Sequence, residues 1–153
     1  MSNIKKILSA VSVLFLAACA SAPQVVVEPF DTTATLESSF DDTWAKAVRF
    51  LSTNQIGIKT IEKDSGLIVL ENTSMSPQLI SEYCVVNIPF MSALDSGKAS
   101  GNLTVVSEGG FTTASVNLSF SATTKFCYEG CNYTTNRCTS KGRFETQLLD
   151  ALQ

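Results

Sequence analysis

Between Phe111 and Phe126 the chain alternates with a period of two: Ala114, Val116, Leu118, Phe120 and Ala122 fall on one side, and Thr113, Ser115, Asn117, Ser119 and Ser121 on the other. A strand with that pattern has one dry face and one wet face, as in an antiparallel sheet covered on a single side. Glu108-Gly109-Gly110 before it is a hairpin signal, with Leu103 to Val106 as the partner strand. Earlier in the chain the period changes. Trp44, Ala47, Val48 and Leu51 recur at helical spacing behind Ser38-Ser39-Phe40-Asp41-Asp42, which supplies cap candidates and first-turn carboxylates, so a helix is predicted over 41–53. A β-type run from Ile56 to Lys63 follows, and Lys63-Asp64-Ser65-Gly66 turns the chain into a partner strand over Leu67 to Glu71. Thr73 to Pro77 reads as a turn, Tyr83 to Phe90 as a strand, and the Ser- and Gly-rich stretch Asp95 to Asn102 as a loop. Phe144, Leu148, Leu149 and Leu152 return to helical spacing, with Thr139 and Ser140 as cap candidates. The expected fold is α+β, in the order β-α-β-β-β-β-α: an antiparallel sheet with two amphipathic helices packed on one face.

The first residues follow a different plan. Lys5 and Lys6 precede an apolar run from Ile7 to Phe15, the layout of a secretory signal segment and too short to cross a bilayer. Leu16-Ala17-Ala18-Cys19 resembles, at all four positions, the lipobox of bacterial lipoproteins. That resemblance implies diacylglycerol on the Cys19 thiol, cleavage before Cys19 and an N-acyl chain on the new terminus, so that the covalent acyl groups are the only cofactor-like feature expected. It also implies a division into a signal peptide (1–18), a lipidated cysteine and tether (19–30, with Pro23 and Pro29) and one periplasmic domain (31–153). Ala20 and Ser21, with no Asp after the cysteine, resemble lipoproteins sorted to the outer membrane. The expected location is the periplasmic face of that membrane.

Charge and composition narrow the chemistry. Without Lys5 and Lys6, 9 of the 11 basic side chains remain against 14 acidic ones, a charge near -5. No basic face is available to displace counterions from phosphates, so no nucleic-acid partner is expected. The sequence contains no histidine. Ser-His-Asp and Cys-His catalysis and imidazole-based zinc sites therefore lose their usual residue, and the chain is read as a non-enzyme. Ser96-Gly97-Lys98-Ala99 lacks the glycine and hydroxyl positions of a phosphate loop. Asp41 and Asp42 diverge by about 100° on a helix and read as helix-start charges.

Residues 38–71, SSFDDTWAKAVRFLSTNQIGIKTIEKDSGLIVLE, resemble the domain opening of small bacterial lipoproteins related to BamC, an accessory lipoprotein of the outer-membrane protein assembly machinery. The shared features are a helix with Trp near its start, a short link, a strand and an acidic-Ser-Gly hairpin. The resemblance implies a helix-grip-like fold and an accessory role in assembly, with an envelope protein as partner. Every element of it also has a packing explanation, and the cysteine-rich end falls outside the pattern.

With Cys19 lipidated, Cys84, Cys127, Cys131 and Cys138 remain, an even number in an oxidising compartment. Three pairings are possible, and sequence does not select among them. The arrangement adopted as the expectation joins Cys127 to Cys131 as a local staple and Cys84 to Cys138 across the fold. A thiolate metal site is the rival, but the spacings miss the C-x2-C knuckle and no metal is expected; no C-x-x-C redox pair is present. Phe126, Tyr128 and Tyr133 around these cysteines are candidates for a contact surface, or equally for packing of the staple. A filled core with exposed aromatic residues favours a protein partner. A deep apolar cavity between the Trp44 helix and the sheet favours a small apolar ligand or lipid.

Overall fold

A computed structural model describes residues 27–153. The signal segment, Cys19 and the tether up to residue 26 lie outside the described residues. The elements run β1 (Thr33–Leu36), α1 (Phe40–Thr53), β2 (Ile58–Glu62), β3 (Leu67–Met75), α2 (Pro77–Tyr83), β4 (Cys84–Val85), β5 (Ala93–Glu108), β6 (Phe111–Cys127), β7 (Cys131–Ser140) and α3 (Arg143–Leu152). The class is the expected one, α+β. Its sheet is antiparallel and seven-stranded in the order β2-β3-β5-β6-β7-β4, with β1 also paired to β6. Among the described residues no helix is long and apolar enough to cross a membrane.

The β5–β6 hairpin is the spine, paired from Glu108↔Phe111 to Ala93↔Lys125. Its two ends have different neighbours. β1 pairs with the Thr112 to Ser115 stretch of β6, and β7 with the Phe120 to Cys127 stretch. Thr112, Ala114, Val116, Phe120, Ala122 and Thr124 are buried and Leu118 is half-buried, so the period-two pattern does mark the dry face.

Over the β1 end of the sheet lie α1 and α3. α1 starts at Ser39, whose Oγ accepts from the Asp42 amide at 3.2 Å, and ends at Asn54, whose Nδ2 donates to the Phe50 carbonyl at 2.8 Å. Trp44, Ala47 and Leu51 meet Leu148, Leu149 and Leu152 of α3 and the sheet residues Ile68, Leu103, Val105 and Val116 in the larger core. Lys46 Nζ donates to the Leu152 and Gln153 carbonyls at 3.1 and 2.8 Å, placing a cation at the negative end of α3. Gly66 takes φ 67° in the β2–β3 turn, which glycine adopts without steric cost.

Four expectations are corrected. Thr73 to Met75 continue β3, and the apparent turn is the start of α2: Pro77 is its first residue, and Ser76 Oγ accepts from the Leu79 amide at 3.2 Å. The strand read over Tyr83 to Phe90 shrinks to Cys84–Val85, since Tyr83 closes α2 and Val86 onward is irregular. Asp95 to Asn102 is strand, not loop; its glycines serve close packing, because a Cβ on Gly97 would run into Ile80 of α2 and one on Gly101 into the Asn117 carbonyl and Leu118. β7, a polar strand, was not foreseen, and it displaces Thr139 and Ser140 from the cap. Gly142 at φ 74° is the N-cap of α3, while Ser140 Oγ accepts from the Gly142 amide (3.0 Å) and donates to Glu145 Oε1 (2.7 Å). The sheet is therefore covered by three helices rather than two.

Candidate functional site

Where α1 ends, α2 passes and α3 begins, the helices leave part of the sheet uncovered. The result is a half-open groove of about 280 Å³. Leu70, Met75, Ala99, Leu118 and Phe120 form its floor; Phe50 and Ile56, Leu79 and Tyr83, and Phe144 form its walls. Rings from four elements follow one another along it, with centroids 6.0 Å apart for Phe50–Phe144, 6.3 Å for Phe144–Tyr83 and 6.5 Å for Tyr83–Phe120. Such spacing is that of packed aromatic pairs, so the walls are fixed by contact among themselves. The groove separates the larger core from a smaller one made of Met75, Ile80, Cys84, Phe120 and Ala122, and Leu118 touches both.

The rim is polar: Asn54, Gln55, Glu71, Thr73 and Gln147 are exposed. Among the lining side chains only the Glu71 carboxylate and the Tyr83 phenol can ionise. No nucleophile stands beside a base there. Among the described residues no three His, Cys, Asp or Glu side chains gather where a metal ion could sit.

A strand edge borders the groove. β2 pairs with β3 only from Leu67 to Leu70, and one further bond runs from the Glu71 amide to the Gly57 carbonyl at 2.8 Å. Beyond it, after a register shift between Leu70 and Thr73, Thr73 to Met75 pair with β5 on one side and, among the described residues, with no strand on the other. Thr73 Oγ1 donates back to the Glu71 carbonyl at 3.3 Å, a local substitute for a ladder partner.

The α2 wall is held down by the cysteines. Cys84 is paired with Cys138 across a sequence separation of 54, and Cys127 with Cys131 across 4, the arrangement expected above. Cys84 caps the end of α2 and is buried; the Lys141 amide donates to the Tyr83 carbonyl at 2.8 Å, Lys141 Nζ to the Ser81 carbonyl at 2.6 Å, and Arg143 pairs with Glu82 at 2.7 Å. Cys127 and Cys131 face each other across the β6–β7 hairpin at a Cα–Cα distance of 4.1 Å.

The three aromatic candidates do not share one surface. Tyr133 lies opposite Lys125, whose Nζ sits 5.6 Å from its ring centroid, on the wet face; Phe126, the next residue of β6, points to the other face and is half-buried. Tyr128 stands in the hairpin turn and is exposed. Sequence reasoning missed their exposed neighbours, Ile88, Phe90 and Met91, in the loop between β4 and β5; Phe90 is 92% exposed. An apolar cavity between the Trp44 helix and the sheet was among the alternatives, but not the wall that Leu79 and Tyr83 of α2 form beside Phe144 of α3, and the Ser76-Pro77 start signal was available to find α2.

Compared with known proteins, the chain matches no family model, and no curated protein is significantly similar to it.

Proposed function

We propose that this chain is a lipid-anchored periplasmic protein of the outer membrane, non-enzymatic, whose domain holds an extended segment of an envelope protein in the groove. The observation that carries this reading is the juxtaposition of an apolar groove with the edge of β3 at Thr73 to Met75, which no other strand covers among the described residues. An added strand gains main-chain hydrogen bonds from such an edge, while every second side chain of the segment enters the apolar space beside it. An apolar groove in which no nucleophile stands beside a base suits holding rather than chemistry. The resemblance of residues 38–71 to BamC-related lipoproteins supports a partner from outer-membrane protein assembly. A second reading, a small apolar ligand or lipid, rests on the same aromatic lining, with a volume near the lower end of the usual range of roughly 300 to 1,000 Å³ for ligand sites.

Site-specific photo-crosslinking in intact cells separates the two. A crosslinker at Leu79, on the groove wall, is expected to form a discrete protein adduct that one at Ile61, exposed on β2, does not form. Adducts confined to lipid or small molecules would replace the first reading with the second, and identical adducts at both positions would sink both. The anchor has its own test: Cys19→Ser releases the protein from membranes, and unchanged membrane association would refute lipidation.

A further inference from the structure

We infer that the end of the sheet carrying Phe90 and Met91 rests on the same membrane that holds the acyl chains, and that the domain stands on this tip with its groove held away from the lipid. The inference rests on the lipid anchor proposed above. The tip is defined by register: Ala93 pairs with Lys125, and Lys125 with Tyr133, so the loop ending at Ser92 and the β6–β7 hairpin turn lie at one end of the sheet. Phe90, Met91, Tyr128 and Tyr133 are exposed there, and Ile88 is exposed in the loop that leads to it. Pro89 to Ser92 close a turn through the Ser92 amide and the Pro89 carbonyl at 3.0 Å, with Met91 at φ 60°. Positive φ at the third turn position normally selects glycine or asparagine. Spending it on methionine, with phenylalanine beside it, keeps two large apolar side chains in water, a strained arrangement without a folding rationale.

Chain direction supplies the second argument. β1 runs antiparallel to β6, from Thr33 opposite Ser115 to Leu36 opposite Thr112, so the chain preceding β1 comes from the Cys127 side. Carried back from Thr33 opposite Ser115, the β1 register puts Phe30 level with Leu118, and from there to Cys127 is nine residues of strand, roughly 30 Å. The eleven residue steps from Cys19 to Phe30 reach at most roughly 36 to 40 Å. A chain anchored at Cys19 is therefore long enough, and enters from the right side, for the tip to touch the bilayer. Aromatic rings and methionine at an interface, with Lys125 against Tyr133, suit the headgroup and upper acyl region.

The test uses the acylated full chain reconstituted into phosphatidylethanolamine–phosphatidylglycerol vesicles, with and without brominated acyl chains. Phe90→Trp adds an indole at a position too exposed to disturb folding; the native Trp44, buried under α1, is the internal reference. Emission from the added indole is expected to be quenched by brominated lipid while that of Trp44 is not. A chain that floats with the vesicles but whose added indole is unquenched overturns the tip contact, frees that surface for a protein partner and leaves the anchor standing. A chain that does not float overturns both.

Discussion

The two ends of the β5–β6 hairpin solve the same burial problem differently. At the β1 end, two amphipathic helices cover the sheet, and Leu51, Ile68, Leu103, Leu148 and Leu152 are wholly buried between the layers without any covalent link. At the β7 end the cover is the short α2 and an irregular crossing, the core shrinks to Met75, Ile80, Cys84, Phe120 and Ala122, and both disulfides are found. Apolar area removed from water stabilises the first end at about 25 cal/mol per Å². The second end has too little of it, and cross-links that restrict the unfolded chain make up part of the difference. The groove opens at the boundary, where one form of cover stops and the other begins. Its α1 and α3 walls belong to the well-packed end and its α2 wall to the cross-linked one.

The strongest way to break this comparison is to remove the long cross-link. For a loop of 54 residues, chain entropy assigns Cys84–Cys138 about 4 kcal/mol. Cys84→Ser with Cys138→Ser is expected to lower stability by that amount in denaturant titration. Hydrogen exchange should then report early loss of protection in α2 and β7 while α1 and α3 stay protected. Uniform loss across both ends would show that the ends are one cooperative unit. The α2 wall is fixed by the same link, so the variant should also lose the Leu79 crosslink.

A cavity in the covered end comes next. Leu148 is fully buried against α1 and the sheet. Leu148→Ala is expected to cost about 3 kcal/mol, equally in oxidised and reduced protein, because that end contains no disulfide. A cost that depends on reductant would show that the cross-linked end supports this core too.

How much of this was legible in the sequence divides along the same line. The covered end announces itself through period: the stripe at Trp44, Ala47, Val48 and Leu51, the closing stripe from Phe144 to Leu152, and the alternation of β6 each exist because one face meets a core. At the cross-linked end little meets a core, so period fails. β7 is exposed along almost its whole length and is held by main-chain pairing and contacts such as the Thr123–Thr135 hydroxyl bond at 2.8 Å, which leave no hydrophobic pattern. The Asp95 to Asn102 stretch of β5 uses glycine to admit Ile80 and Leu118, so a packing requirement looks like a loop composition. The groove inherits this opacity, because one wall is α2.

The short cross-link sharpens the comparison at its smallest scale. Cys127 and Cys131 are already opposite each other in the β6–β7 register, so in the folded protein the bond adds little that pairing does not provide. Its effect acts on the unfolded chain, where closing four residues is worth about 2 kcal/mol, half the value of the long link. Cys127→Ser with Cys131→Ser is therefore expected to lower stability by about 2 kcal/mol in the same titration, with exchange faster only near the hairpin turn. A loss as large as that from the Cys84–Cys138 pair would mean that the turn organises the tip, including the loop at Phe90, and that the short bond is structural beyond its own loop. No loss at all would mean that the unfolded chain keeps this turn without help, and the cross-linked end would then depend on one bond alone.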